Sequence, residues 1–431
     1  MENTRVCVIG CGYIGLPTAA VFADKGCDVL AVDINERIVD SINRGEAFFN
    51  EPGLSELIEQ AVKCGRLKAS TAPEPADVFI IAVPTPFKDD ALKSCDLSSV
   101  LKAIESVLPC LRPGNAVIIE STMAPRSTED YVVPLIAEAG FVIGSDVFLA
   151  HCPERVLPTN IISELVNNDR IIGGYTPACA DKAAAFYRIV SKGAIFTTEA
   201  KTAEMAKCIE NVFRDLNIAL ANELVIICDE LSINCLDVIS LANRHPRVNI
   251  HAPGPGVGGH CLAIDPYFVS SKAPDKANII RLARATNESM PGFVTAKAKK
   301  LLLEQGLSIS HAKVAVLGVA YKGNVDDCRE SPALDVISSL QKSGSVVAVF
   351  DPRVSEYAVP LESVMQDACI AIVLTDHDEF KEDALQPYVG MMQHPLVFDT
   401  RNVVGQLDGA QVVNFGNLFS VAPAELEQAK R

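Results

Sequence analysis

The chain has 431 residues, with 38 Lys and Arg against 54 Asp and Glu, a formal net charge of −16, 14 Cys and no Trp. At about 150 residues per domain it has room for two or three cores, and 49% hydrophobic with 21% charged residues excludes wholesale disorder. The acidic balance gives no general attraction to phosphate backbones or anionic lipid, so a nucleic-acid or membrane partner is not expected and any anionic ligand must be held by a few local Arg and Lys side chains.

The N-terminus, MENTRVCVIGCGYIG, lacks a basic segment followed by a long apolar core and a small-residue cleavage site, so it does not read as a signal peptide. No apolar run approaches the ~20 residues that span a bilayer. A cytoplasmic protein is expected. Its cysteines are scattered singly, without a CxxC pair, and read as reduced, mostly buried thiols rather than as a metal or disulfide framework.

From residue 5 to about 175, short Val/Ile-rich runs alternate with longer amphipathic stretches. The runs are Arg5 to Ile9, Asp28 to Val32, Asp77 to Val83, Ala116 to Ser121, Asp146 to His151 and Arg170 to Gly173. Continuous apolar runs separated by helix-length segments predict buried parallel strands with crossover helices, a doubly wound α/β domain. From about Thr198 to Leu241 apolar residues recur at spacings of three and four without Gly or Pro, which predicts one long helix linking two domains. After a Pro/Gly-rich loop, His245 to Asp265, and further helices, strand-like runs return at Lys313 to Leu317, Ser345 to Phe350, Ala368 to Leu374 and Leu396 to Phe398. The expected fold is therefore α/β, two Rossmann-like doubly wound domains joined by a long central helix. Its divisions are 1–197, 198–310 and 311–431, and the two halves share a pattern rather than a sequence repeat.

The first strand runs into Gly10, Cys11, Gly12, Tyr13, Ile14 and Gly15, which is GxGxxG. Glycines there allow a tight turn, close approach of a pyrophosphate and packing of the following helix on the strand. The second strand ends in Asp33, 23 residues after Gly10, where a carboxylate can accept from an adenosine ribose and would repel a 2′-phosphate, favouring NAD over NADP. Thr85, in Val83-Pro84-Thr85-Pro86, and Thr122, after Glu120 and Ser121, follow the third and fourth of these strands, at the carboxyl ends where open α/β sheets bind ligands.

The loop after the long helix carries His245-Pro246-Arg247 and then PGPGVGGHC, ending in Gly258, Gly259, His260 and Cys261, with Asp265 four residues on. Read locally, this is either a backbone-close ligand loop or a flexible loop ending in a buried Cys. Read with VPTP, EST, CPER, KCIENVFRDLNIALANE and VAYKGNVDDCRESPA, it resembles the UDP-glucose/GDP-mannose dehydrogenase family over nearly the whole chain, in order. The combination HPRVNI, PGPGVGGHC and DPYF, with CPERVLP and VPTPFK, resembles the branch acting on UDP-N-acetyl-D-mannosamine. UDP-N-acetylglucosamine or UDP-glucose is the alternative substrate, and a non-catalytic NAD-binding sensor the alternative class.

The resemblance implies oxidation of a C6 alcohol to a carboxylate with two NAD, through a thiohemiacetal and a thioester on Cys261. Lys207, Asn211 and Arg214 stand at i, i+4 and i+7 on the long helix and so face one way. By resemblance Lys207 moves the alcohol proton and steadies the oxyanion while Asn211 orients the same oxygen. Glu154 lines the site and orders or deprotonates the hydrolytic water; Pro158 stands where UDP-glucose members usually have a second Glu, which leaves that base open. Thr122 meets either the nicotinamide or this water, and Asp265 steadies the Cys loop in a structural or a chemical role. The implied substrate contacts are Arg155, Val156, Lys207, Asn211, Arg214, His245, Arg247, Gly258, Tyr321, Lys322 and Arg401. His245 and Arg247 read equally as a surface cluster. Arg329 either reaches NAD from the second domain or is tied to Asp326 or Asp327. A loop Arg that crosses a dimer in this family implies a homodimer or higher homo-oligomer.

Overall fold

The continuous Val/Ile runs form strands near the predicted positions. The computed structural model describes residues 4–157 and 159–420, so Pro158 lies outside the described residues. The first sheet contains β1 (Arg5–Ile9), β2 (Asp28–Val32), β3 (Leu67–Ser70), β4 (Val78–Ile81), β5 (Ala116–Ile119), β6 (Phe148–His151), β7 (Arg170–Gly174) and β8 (Ile195–Glu199). Its order is β3-β2-β1-β4-β5-β6-β7-β8, with every neighbouring pair parallel except β6 and β7. The order reverses beside β1, so a crevice opens at the carboxyl ends of β1 and β4, the usual ligand position of such sheets.

The second sheet contains β9 (Lys313–Leu317), β10 (Val346–Phe350), β11 (Ile370–Val373), β12 (Leu396–Asp399) and β13 (Gln411–Asn414), all parallel, in the order β10-β9-β11-β12-β13. The strands that the apolar pattern did not announce are β3, β8 and β13. Each is a sheet edge, where one flank faces solvent and polar residues such as those of LKAS, IFTTE and QVVN are tolerated.

The two sheets share one local device. Gly10 and Gly318 follow β1 and β9 with φ of 93° and 90°, and each N–H bonds the last carbonyl of the neighbouring strand at 2.8 Å, that of Val32 and of Phe350. Asp33 accepts from the backbone N–H of Cys11 and of Asn35, both at 2.9 Å. Asp351 accepts from Val319, Ala320, Arg353 and Val354, and its Oδ2 also lies 3.1 Å from His377 Nε2. Burial alone would raise the Asp351 carboxyl, but His377 and the backbone amides outweigh it and hold the group below the usual carboxylate range.

The central helix, Ala200–Leu231, is shorter than the predicted span to Leu241. Ser232 adopts φ of 56°, which ends the helix, and the Asn234 side chain accepts from Leu236 and Asp237 N–H to start a separate helix, Cys235–Ala242. The apolar period runs on through this break, which is why periodicity alone joined the two. The chain divides into two compact units, Met1–Glu210 with Tyr267–Pro274, and Asn211–Pro266 with Asp275–Arg431. Among the described residues no helix is long and apolar enough to cross a membrane.

Candidate active site

In the first unit the glycine turn leads into the helix Gly15–Asp24, whose residues from Gly15 to Ala23 are all buried. A Cβ on Gly10 would stand 2.5 Å from the Ala82 carbonyl oxygen, and one on Gly15 would overlap the Gly10 carbonyl. At Gly12, by contrast, a Cβ would meet nothing within 4 Å. The N-cap, Ile14, offers no side-chain acceptor, so no side chain at that position caps the first N–H groups of the helix. Open space, a helix N-terminus without a side-chain cap and the half-buried Asp33 carboxylate fit the pyrophosphate and ribose of a dinucleotide. Tyr13, half-exposed, packs on Phe49 with ring centroids 4.4 Å apart.

Beside this cradle, Thr85 Oγ1 donates to the Thr122 carbonyl at 2.6 Å, and Ser121 Oγ donates to the Val83 carbonyl at 2.7 Å, which ties the loops after β4 and β5 together. Glu120 is buried; it accepts from Tyr187 Oη at 2.6 Å and from Thr18 Oγ1 at 3.2 Å. Burial first, and then the nearby Glu154 charge, pushes its carboxyl up to about 7. Glu154 Oε2 pairs with Arg170 Nη1 at 3.1 Å, both side chains being nearly inaccessible, and its Oε1 accepts from Arg155 N–H at 2.8 Å. The Arg155 guanidinium pairs with Glu210 at 2.7 Å and donates to the Asp169 carbonyl, while Val156 packs against the core of this unit. Lys207 is buried on the central helix.

In the second unit the Cys loop is closely packed. A Cβ on Gly258 would come 2.5 Å from the Glu330 carbonyl oxygen, and one on Gly259 would come 2.8 Å from the Tyr321 ring; Gly259 also needs its φ of 83°. Cys261 is half-buried, and its carbonyl accepts from Ile264 at 3.1 Å and Asp265 at 2.9 Å, the turn that feeds the helix Asp265–Lys272. Asp265 Oδ2 accepts from Asn211 Nδ2 at 2.6 Å, with both residues buried. Tyr321 collects the neighbourhood. Its hydroxyl is pushed up by burial first and then by Asp327 and Cys261, against the pull of Arg329 and Arg214.

Arg401 Nη2 pairs with Asp376 at 3.0 Å, and its Nη1 lies where a Gly254 Cβ would stand. Arg329 is held by Asp327 through Nε at 2.9 Å and Nη2 at 2.6 Å. His245 and Arg247 are exposed, with His245 Nδ1 accepting from Arg247 N–H at 3.3 Å, and Lys322 is exposed as well. The structure thus brings Cys261, Arg214, Tyr321 and Arg329 into one neighbourhood, and leaves His245 and Arg247 on an open loop.

Family models match in chain order. They describe the NAD binding domain of the UDP-glucose/GDP-mannose dehydrogenase family over residues 4–191, the central domain over 201–289 and the UDP binding domain over 315–406. The chain belongs to that family. Its first sheet carries the family's NAD-binding domain and its second the UDP-binding domain. The chain is 45% identical over 410 residues to the UDP-N-acetyl-D-mannosamine dehydrogenase of Methanococcus maripaludis, covering 93% of each chain. It is 48% identical to the solved UDP-N-acetyl-mannosamine dehydrogenase of S. aureus, with a TM-score of 0.90 over 97% of this chain and all of that one. It is also 43% identical, over 94% of this chain and 97% of the relative, to the NDP-N-acetyl-D-galactosaminuronic acid dehydrogenase of Ralstonia nicotianae.

Within this family frame, sequence reasoning passed over the Arg170 that holds Glu154 and the Asp376 that holds Arg401. Neither carries a local motif, because each partner comes from a separate strand or loop end. It also passed over His151, whose one signal was its place at the end of a strand next to Cys152-Pro153-Glu154.

Proposed function

We propose that the protein oxidises C6 of UDP-N-acetyl-D-mannosamine to UDP-N-acetyl-D-mannosaminuronate in two NAD-dependent steps, with Cys261 as the covalent nucleophile. The observation that carries this reading is the second-unit constellation: a thiol at the end of a glycine loop, with Asp265 and Asn211 bonded directly behind it. A simple alcohol dehydrogenase has no use for such a thiol.

NAD, when bound, supplies the acceptor for the electron pair and hydrogen lost in each oxidation. The Lys207 amine takes the C6 hydroxyl proton as the hydride leaves carbon, which yields the aldehyde. The Cys261 thiolate adds to that carbon, a C–S bond forms, and the oxyanion takes a proton back from Lys207. Asn211, fixed at its far end by Asp265, donates toward the same oxygen. The second oxidation returns the hydroxyl proton to Lys207 and leaves a thioester. Water then adds to the acyl carbon, the C–S bond breaks, the thiolate leaves and the carboxylate is released, with both protons of the water passing to solvent. Glu154, bound by Arg170, suits ordering of that water. Arg214, Tyr321 and Arg401 supply the cationic and hydroxyl donors that a UDP-sugar needs in an acidic chain.

Relatives named for UDP-N-acetyl-mannosamine support the choice of sugar, whereas the Ralstonia relative carries another sugar's name at 43% identity. Epimers differ by one or two hydrogen bonds, so activity must decide. NADH formed from limiting UDP-N-acetylmannosamine and from UDP-N-acetylglucosamine, with native enzyme and Cys261→Ser, tests the reading. Two NADH per mannosamine sugar, little from the epimer and loss of turnover in the variant are expected. One NADH per sugar would sink the thioester route.

We further infer that a second copy of the chain covers the central helix. Phe213, Leu220, Ile227 and Leu231 are exposed at i, i+7, i+14 and i+18, one stripe of that helix. Light scattering should give a dimer or a multiple of it, and a fully active monomer would refute it. The reaction is placed in the cytoplasm, where NAD and nucleotide sugars are supplied.

A further inference from the structure

Several polar side chains at the carboxyl end of the first sheet have definite partners. Glu120 has Tyr187 and Thr18, Ser121 has the Val83 backbone, and Glu154 has Arg170. His151, the last residue of β6, is completely buried, yet neither Nδ1 nor Nε2 has a hydrogen-bond partner among the described residues. A buried imidazole with two unused nitrogens is costly to retain, and the cost is removed only by a partner of the right chemistry.

A cation on the facing helix identifies that chemistry: His151 pairs with Gly173 across β6 and β7, a Cβ on Gly173 would stand 2.7 Å from Ala203 Cβ on the central helix, and Lys207 follows one turn later on the same face of that helix. Burial first, and the Lys207 charge second, push the ring down to about 3, so His151 is neutral throughout the range in which an enzyme works. A neutral imidazole presents one donor and one lone pair. The Lys207 ammonium presents donors alone, and no hydrogen bond or ion pair engages it among the described residues. Two buried groups of one unit therefore lie within electrostatic reach, one lacking an acceptor and the other lacking any partner.

We propose that His151 is a positioning residue for Lys207: its ring lone pair takes a hydrogen bond from the Lys207 ammonium through one buried water, and so fixes where that amine stands and how tightly it holds a proton. The inference rests on the proposed role of Lys207 in moving the C6 proton. In that role the amine must gain and lose one proton in each oxidation, and a neutral acceptor behind it steadies the ammonium without adding a second positive charge. An apolar residue at 151 would strip the ammonium of its acceptor, let the amine swing among rotamers and lower its proton affinity.

The test compares His151→Phe, which keeps the ring shape, and His151→Gln, which restores a donor and an acceptor, with the parent and with Lys207→Ala. The Phe variant should lose about tenfold or more in kcat with KM for NAD unchanged. The acid limb of its pH profile should move downward by about half a unit or more, and the Gln variant should recover most of both effects. Combined with Lys207→Ala, His151→Phe should cost nothing further, because it acts through the lysine. A folded Phe variant with the parental kcat and pH profile would overturn the inference. So would an additive loss in the double variant. If Lys207→Ala itself turns over normally, the proposed role of Lys207 fails instead, and the two failures are thereby distinguished. Should the Phe variant not fold, ring nitrogen resonances of labelled wild-type enzyme give the answer: His151 should stay in one neutral tautomer and shift when Lys207 is replaced by Ala. No shift would refute the link.

Discussion

Asn211 Nδ2 and Asp265 Oδ2 meet at 2.6 Å with both residues buried, so the helix that starts at Asp265 and the central helix are fastened to each other four residues after Cys261. The same Asp265 donates its N–H to the Cys261 carbonyl. One residue therefore holds the turn that carries the thiol, through its backbone N–H, and the amide proposed to face the reacting oxygen, through its carboxylate. Replacing Asp265 by Ala leaves the Asn211 amide buried without its acceptor, at a cost of about 1–3 kcal/mol. The expected outcome is a lower melting temperature together with at least a tenfold loss of kcat. Asp265→Asn, which keeps an acceptor, should fall between the two.

The Glu154–Arg170 pair separates architecture from chemistry. Removing one member of a buried pair leaves an uncompensated charge, worth about 3–5 kcal/mol. Arg170→Met should therefore destabilise the fold strongly in a denaturant titration. Glu154→Gln keeps an acceptor for Arg170 but leaves its charge uncompensated, so it should destabilise as well, and if Glu154 orders the hydrolytic water the acyl adduct on Cys261 will accumulate. Intact mass spectrometry of quenched reactions would detect it, and a Gln variant with no adduct at reduced turnover would remove Glu154 from the hydrolysis step.

Glu204 gives a pH dependence of definite sign. Its Oε1 accepts from Thr128 N–H at 2.8 Å and Thr128 Oγ1 at 2.7 Å, and burial pushes its carboxyl from the ordinary 4.5 up to about 7 despite those bonds. The folded state thus prefers the protonated acid. Its contribution is complete below about pH 4.5 and is lost as pH rises through about 7, when a charge must be carried in the interior. Glu204→Gln should come close to the parent near pH 5 and exceed it near pH 8 by roughly 3 kcal/mol, at about 1.4 kcal/mol per unit of the shift from 4.5 to about 7. Melting temperatures of both proteins across that range would check it.

Gly12 offers a contrast with Gly258. A methyl group on Gly12 touches no protein atom, whereas one on Gly258 collides with the Glu330 carbonyl. Gly12→Ala should melt like the parent in the absence of NAD and raise the KM for NAD about tenfold, because only the pyrophosphate needs that space. Gly258→Ala should lose about 1–3 kcal/mol from the overpacked loop as well as activity. A Gly12 variant with normal affinity for NAD would place the dinucleotide elsewhere.

Much of the fold was legible because buried parallel strands are written as unbroken Val/Ile runs, as in Val78–Ile81 and Ala116–Ile119, and because the first glycine turn has a fixed spacing to Asp33. The edge strands β3, β8 and β13 were not, since a solvent-facing flank relaxes the apolar pattern. The break at Ser232 was hidden for another reason: a single residue with positive φ interrupts the backbone without interrupting the hydrophobic period. In the site, residues within one motif, such as Cys261 with Asp265 or Lys207 with Asn211, could be read from spacing. Pairings between distant segments, Glu154 with Arg170 or Arg401 with Asp376, could not, because they are set by strand order rather than by neighbours in sequence.

The matching turns of the two sheets bear on how one molecule completes two oxidations. Asp351 has its oxygens occupied by four backbone amides and His377 and is wholly buried, so it cannot greet a ribose in the way proposed for Asp33. If the first sheet alone receives the dinucleotide, the two equivalents must visit in succession, with the reduced one departing while the sugar waits half-oxidised. An aldehyde left unattached during that exchange would escape or hydrate. On the proposed chemistry the carbon–sulfur bond to Cys261 is then a mooring line as much as a catalytic device, keeping the intermediate in port while the coenzyme berth is cleared and refilled.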